Sequence, residues 1–98
     1  MTIVRHVVIR GRVQAVGFRA FVEDAAEECY LEGWVRNRRD GSVEAVFKGR
    51  EEAVEAVIKQ CRAGPPAARV EAVDVEEGAP ALLEQRPRNT RFAVLPTG

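Results

Sequence analysis

The chain has 98 residues, 46% of them hydrophobic, which is enough for one core and too little for two, so a single domain over residues 1–98 is expected. Fifteen Lys and Arg cancel fifteen Asp and Glu, leaving no global field to draw nucleic acid or an anionic membrane. Arg5 and His6 interrupt the apolar N-terminus, which excludes a signal-peptide core, and no run reaches transmembrane length; a cytoplasmic location is expected.

Ile3, Val4, Val7, Val8 and Ile9 have the composition of a strand. The connector that follows reads Gly11-Arg12-Val13-Gln14-Ala15-Val16-Gly17-Phe18-Arg19. Phe18, Val22, Ala25, Ala26 and Cys29 then recur on one helix face, with Glu23, Asp24, Glu27 and Glu28 on the other, predicting a helix from about Arg19 to Tyr30 or Leu31. A loop between a strand's end and a helix's first turn offers unpaired N–H groups and the positive end of the helix dipole, which suits a phosphate. Arg19 is unfavourable for that dipole unless it grips an anion, for which its guanidinium fork is well suited. Taken alone, the stretch is better read as a plain glycine connector with a surface arginine. It is neither a Walker A loop nor a Gly-x-Gly-x-x-Gly fingerprint.

Gly33 is expected to reverse the chain after the first helix. Trp34 and Val35 start a strand, Asp40-Gly41 signals a hairpin turn, and Val43, Ala45 and Phe47 alternate with Glu44, Val46 and Lys48 in the returning strand. Asn37 falls near the end of the first of these strands, where a rigid element can hold a reactive side chain, although a turn-forming asparagine would sit there too. Arg50 to Ala63 reads as a second helix with Val54, Val57, Ile58 and Cys61 inward, stopped by Gly64-Pro65-Pro66. Val70, Val73 and Val75 form a strand whose alternation slips once, as at a bulge. Gly78 to Asn89 reads as a loop or irregular edge, and Phe92 and Val94 as a last short strand. The βαββαβ order predicts an α/β fold, specifically an α+β sandwich of ferredoxin-like topology: a mainly antiparallel sheet with two helices on one face. Cys29 and Cys61 fall on apolar helix faces as core fillers, and His6 lies in a strand with no second His or Cys nearby; no disulfide, metal or cofactor is expected.

Two stretches together carry a resemblance. Gly11 to Arg19 and Gly33-Trp34-Val35-Arg36-Asn37-Arg38-Arg39-Asp40-Gly41-Ser42-Val43, with Gly49, are similar to the acylphosphatase signatures Gly-x-Val-Gln-Gly-Val-x-Phe-Arg and Gly-Trp/Phe-Val-x-Asn-x3-Gly-x-Val-x5-Gly. The second matches in full and the first at all but Ala15, where the family has glycine. Tyr30, too, stands where family members usually carry glycine. The resemblance spans nearly the whole chain and implies the same ferredoxin-like fold. It further implies metal-independent hydrolysis of an acyl phosphate to a carboxylate and inorganic phosphate. The backbone amides from Gln14 through Ala15, Val16, Gly17 and Phe18 to Arg19, with the Arg19 guanidinium, would bind the phosphoryl oxygens, and Asn37 would position the attacking water. Partners are then the acyl phosphate and inorganic phosphate, with no nucleic acid or membrane, acting on a monomer.

Arg10, Arg12, Arg36, Arg38 and Arg39 flank both motifs and either raise the local potential or are ordinary solvated residues. An RNA-recognition domain shares the topology, but the strand Ser42 to Lys48 has one aromatic and an acid where such domains stack bases. A metal-carrying domain would need a Cys-x-x-Cys, which is missing. A non-catalytic member is the remaining alternative that Ala15 raises. An acylphosphatase-like segment also occurs within large hydrogenase-maturation carbamoyltransferases, against which the stop at Gly98 points to a free-standing enzyme.

Overall fold

The structure, a computed structural model, describes all 98 residues. Its elements are β1 (Thr2–Arg12), α1 (Phe18–Glu28), β2 (Glu32–Asn37), β3 (Val43–Arg50), α2 (Glu51–Ala63), β4 (Arg69–Glu77), a 3₁₀ helix (Pro80–Gln85) and β5 (Phe92–Val94). The five strands make one sheet in the order β4-β1-β3-β2-β5, antiparallel except for the β2–β5 pair. Because β1 and β2 both run antiparallel to β3, and β5 runs parallel to β2, the C-terminal ends of β1, β2 and β5 meet at one end of the sheet. That end carries the connector between β1 and α1 and, at the close of β2, Asn37.

Strand alternation sends Val7, Ile9, Val35, Val43, Ala45 and Phe47 to one face, where they pack against Phe18, Val22, Ala25 and Ala26 of α1 and Val54, Val57, Ile58 and Cys61 of α2. The thiol of Cys61 is a core filler: burial raises its pKa to about 12, so it is inert as a nucleophile. Cys29 is half-buried at the end of α1, and both cysteines are free. The predicted slip in β4 is a bulge opposite Arg10 and Gly11, where Arg10 pairs with Ala72 and Gly11 with Val70, leaving Glu71 as the extra residue.

The other face is only partly open. Trp34, Val46, Leu83, Ala93 and Leu95 form a second cluster there, and the indole Nε1 of Trp34 donates to the carbonyl of Leu82 at 2.8 Å. The segment from Gly78 to Asn89, expected as a loop or irregular edge, thus contains a 3₁₀ helix that covers a tryptophan 0% exposed. Its conformation depends on a hydrophobic partner 49 positions upstream of Leu83, a contact that local pattern cannot express.

Helix ends are also adjusted. Helix α1 starts one residue earlier than expected and ends at Glu28, because Tyr30 turns left-handed with φ 56° and its N–H closes on the Glu27 carbonyl. Gly33, expected to reverse the chain, lies inside β2 with φ 143°; a Cβ there would sit 1.8 Å from the Val46 carbonyl oxygen. Close approach of β3, rather than a turn, requires that glycine. No helix is long and apolar enough to cross a membrane.

Candidate active site

The connector between β1 and α1 alternates in handedness. Ala15 has φ 60° and Gly17 φ 80°, whereas Val16 between them and Phe18 after them lie at negative φ. Alternating signs turn successive amides towards one side, the geometry of an anion-binding nest. The N–H groups of Ala15, Val16 and Gly17 meet no acceptor in the structure, and those of Phe18 and Arg19 are first-turn orphans of α1. Gly17 caps the helix through its backbone alone, with no side chain to occupy those donors.

The two helices treat charge differently. Helix α2 follows the dipole, with Glu51 and Glu52 in its first turn and Arg62 in its last. Helix α1 has no acid in its first turn and carries Arg19 there instead. The Arg19 side chain, half-buried, forms no hydrogen bond or ion pair, the arrangement expected of a cation held in reserve for a ligand.

Asn37 closes β2 at the same end of the sheet. Its backbone is clamped: its carbonyl accepts from Gly98 N–H at 3.0 Å, and Val35, two residues back, accepts from Leu95 N–H at 2.9 Å. Beyond it the 38–42 turn is closed by Arg38 N–H to the Ser42 carbonyl at 2.9 Å and by Gly41 N–H to the Arg38 carbonyl at 3.1 Å. Asp40 accepts from both the amide and the hydroxyl of Ser42, at 3.0 and 2.6 Å, and these bonds hold its carboxyl below the usual range. The Asn37 carboxamide itself bonds to nothing, so it makes no side-chain hydrogen bond to the turn that follows.

A cleft of about 370 Å³ brings Ala15, Gly17, Arg19 and Asn37 together, with Phe18 in its wall. Gln14 and Val16 do not line it. The side chain of Gln14 points instead into the 38–42 turn, where Nε2 donates to the carbonyls of Arg38 at 2.7 Å and Ser42 at 2.9 Å. Glu23, one turn after Arg19, and Val94 at the end of β5 also line the cleft. The helical i, i+4 spacing from Arg19 signals Glu23, but nothing local signals Val94. A wider depression of about 650 Å³ at the far end of the sheet is lined by Tyr30, Arg86 and Arg91. Two of its arginines are already engaged, since Arg86 pairs with Glu32 at 3.0 Å and Arg91 lies over the Tyr30 ring. No group of three His, Cys, Asp or Glu side chains is placed to hold a metal ion.

The sequence profile of the acylphosphatase family matches residues 5–93. The chain belongs to the acylphosphatase family. An acylphosphatase of Rhodopseudomonas palustris strain BisB18 is 56% identical over 98% of this chain and 97% of its own length. Among solved structures, acylphosphatases from Bacillus subtilis (33% identity, TM-score 0.81, 97% of this chain and 99% of that one) and Coxiella burnetii (34%, 0.82, 96% and 93%) share the fold. These three proteins are matched nearly end to end. Both positions at which this acylphosphatase-family chain departs from the usual glycine, Ala15 and Tyr30, are left-handed, at φ 60° and 56°. A side chain in that conformation carries a steric cost of roughly 1 to 2 kcal/mol per residue.

Proposed function

We propose that the protein hydrolyses acyl phosphates, RCO–OPO₃²⁻ + H₂O giving RCOO⁻ and H₂PO₄⁻, as a monomer in the cytoplasm. The observation that carries this reading is one cleft holding the unpaired Arg19, the unpaired Asn37 and a loop of unspent amides. A mixed anhydride is already activated and has a good leaving group, so its phosphoryl transfer needs positioning and charge stabilisation rather than a strong acid or base. The amides of Gln14, Ala15, Val16, Gly17, Phe18 and Arg19 and the Arg19 fork bind the phosphoryl oxygens and take up charge as the P–O bond to the acyl group breaks. Asn37 holds the attacking water in line, and the phosphate's own oxygen accepts the water's proton. Membership of the acylphosphatase family supports both the reaction and these roles. Glu23 is the one carboxylate lining the cleft, so acyl groups without a negative charge of their own are the favoured substrates. The unpaired thiols suit a reducing compartment.

The test is phosphate release from benzoyl phosphate, beside a phosphomonoester, with and without chelator. Rapid release from the anhydride alone, unchanged by chelator, is the expected result. Equal turnover of the monoester, or loss of activity restored by Mg²⁺, would reject this site.

A further inference from the structure

Gln14 belongs to the loop proposed to hold phosphate, yet its side chain serves the other half of the cleft. Its single NH₂ group bridges the Arg38 and Ser42 carbonyls at 2.7 and 2.9 Å, across 24 and 28 residues of chain. Those two carbonyls are the ones that close the 38–42 turn, each already accepting one backbone N–H, so the carboxamide uses the second lone pair of each. Asn37 is the residue immediately before this turn. From this geometry we infer that Gln14 is a positioning residue: it sets the distance between the phosphate loop and Asn37, so that the water held by Asn37 lies in line with the phosphoryl group held by the loop. The inference rests on the water-orienting reading of Asn37.

The physical reason is one of tolerance. In-line attack depends on placement to a fraction of an ångström, and the two halves of the cleft hang from different strands, β1 and β2, with β3 between them. The sheet's hydrogen bonds fix the strands but not the loops beyond their ends. A two-pronged donor joining those loops removes their relative motion without touching substrate. It leaves phosphate binding, which needs only the loop and Arg19, almost independent of the bridge.

Gln14→Met keeps length and removes both donors. The expected result is kcat lowered roughly tenfold to a hundredfold, with inhibition by inorganic phosphate within about threefold of wild type. In an Asn37→Ala background, Gln14→Met should cost little more, because both changes spoil the same step. Gln14→Glu keeps the shape but aims a carboxylate at two carbonyls. Protonated, it regains one donor, so its kcat relative to wild type should rise as pH falls from 7 to 5. This arm also decides the matter if Gln14→Met fails to fold. An unchanged kcat in Gln14→Met, a loss that multiplies that of Asn37→Ala, or a pH-independent Gln14→Glu ratio would overturn the inference while leaving the role of Asn37 intact. Undiminished turnover in Asn37→Ala alone would overturn both.

Discussion

Two groups of polar side chains in this fold differ in how they are satisfied. On the sheet face away from the helices, His6, Glu44 and Arg36 form a closed set: His6 Nε2 donates to one Glu44 oxygen at 2.6 Å and Arg36 Nε to the other at 2.8 Å, while the Arg36 guanidinium lies 4.9 Å from the Trp34 ring. In the cleft, the side chains of Arg19 and Asn37 have no hydrogen-bond or ion-pair partner. The lone histidine, conspicuous in sequence as a possible base, is spent on structure. Arg36 is likewise engaged with Glu44, and Arg10 with Asp74 at 3.0 Å, so two of the five flanking arginines add little field to the cleft. A polar side chain that the native state already satisfies stabilises the fold; one left unsatisfied beside free amides is available to a ligand.

The largest effect expected from breaking this contrast is at Arg19. Arg19→Ala removes a bidentate, charge-assisted contact present in both bound and transition states, and kcat/KM should fall by about 2 to 4 kcal/mol, or roughly 30- to 1,000-fold. The melting temperature should hold, since no native hydrogen bond or ion pair is lost. Arg19→Lys should rescue poorly because a point charge lacks the fork. Near-normal kcat/KM in Arg19→Lys would remove the guanidinium from the assigned role.

The paired cluster should behave in the opposite way. Glu44 is buried, which pushes its pKa up, but the hydrogen bonds from His6 and Arg36 together outweigh burial and hold it below the ordinary carboxylate range. Glu44→Gln leaves Arg36 and His6 half-buried without their anion, at a cost of about 1.5 to 3 kcal/mol, on the order of 10 °C in Tm. Turnover measured well below that Tm should change less than about threefold. A depressed folded pKa stabilises above the unfolded value, near 4.3, and the contribution disappears as pH falls through the folded pKa. The Tm gap between wild type and Glu44→Gln should therefore be full at pH 6 to 7 and close below about pH 4. A gap independent of pH would mean that the Glu44 charge does not stabilise the fold.

What could be read from sequence follows the range of the interaction. Helix faces, the Asp40-Gly41 turn and the bulge at Val70 to Val73 are local or periodic signals, and the structure reproduces them. The two motifs brought Arg19, Asn37 and the loop to attention because each is contiguous. The bridge from Gln14 to the Arg38 and Ser42 carbonyls, the pairing of Glu44 with His6 38 residues away, and the cover over Trp34 depend on strand register. Glu44 illustrates the loss: alternation places it on the sheet face opposite Val43 and Ala45, which is correct, but says nothing of its partners there. It is only 8% exposed there because His6 on β1 and Arg36 on β2 flank it and hydrogen-bond to its two oxygens.

The smallest predicted effect concerns the loop itself, where the unsatisfied half of the comparison is held in an unfavourable conformation. Ala15 at φ 60° bears a left-handed cost of roughly 1 to 2 kcal/mol, which Ala15→Gly relieves, while the greater freedom of glycine in the unfolded chain returns about 0.4 to 1 kcal/mol. The net expectation is a gain of between zero and about 1.6 kcal/mol, a few degrees in Tm, with phosphate inhibition equal or tighter. Since Ala15 is exposed, its methyl group disturbs no core contact, and the amides on either side of it remain free in the alanine form. Wild type should thus be active, with kcat within about threefold of Ala15→Gly. The measurement is a side-by-side comparison of Tm, phosphate inhibition and kcat on benzoyl phosphate. A fall in Tm would show that the folded loop carries no strain at residue 15, and an inactive wild type restored by glycine would make the alanine a lesion in the cradle.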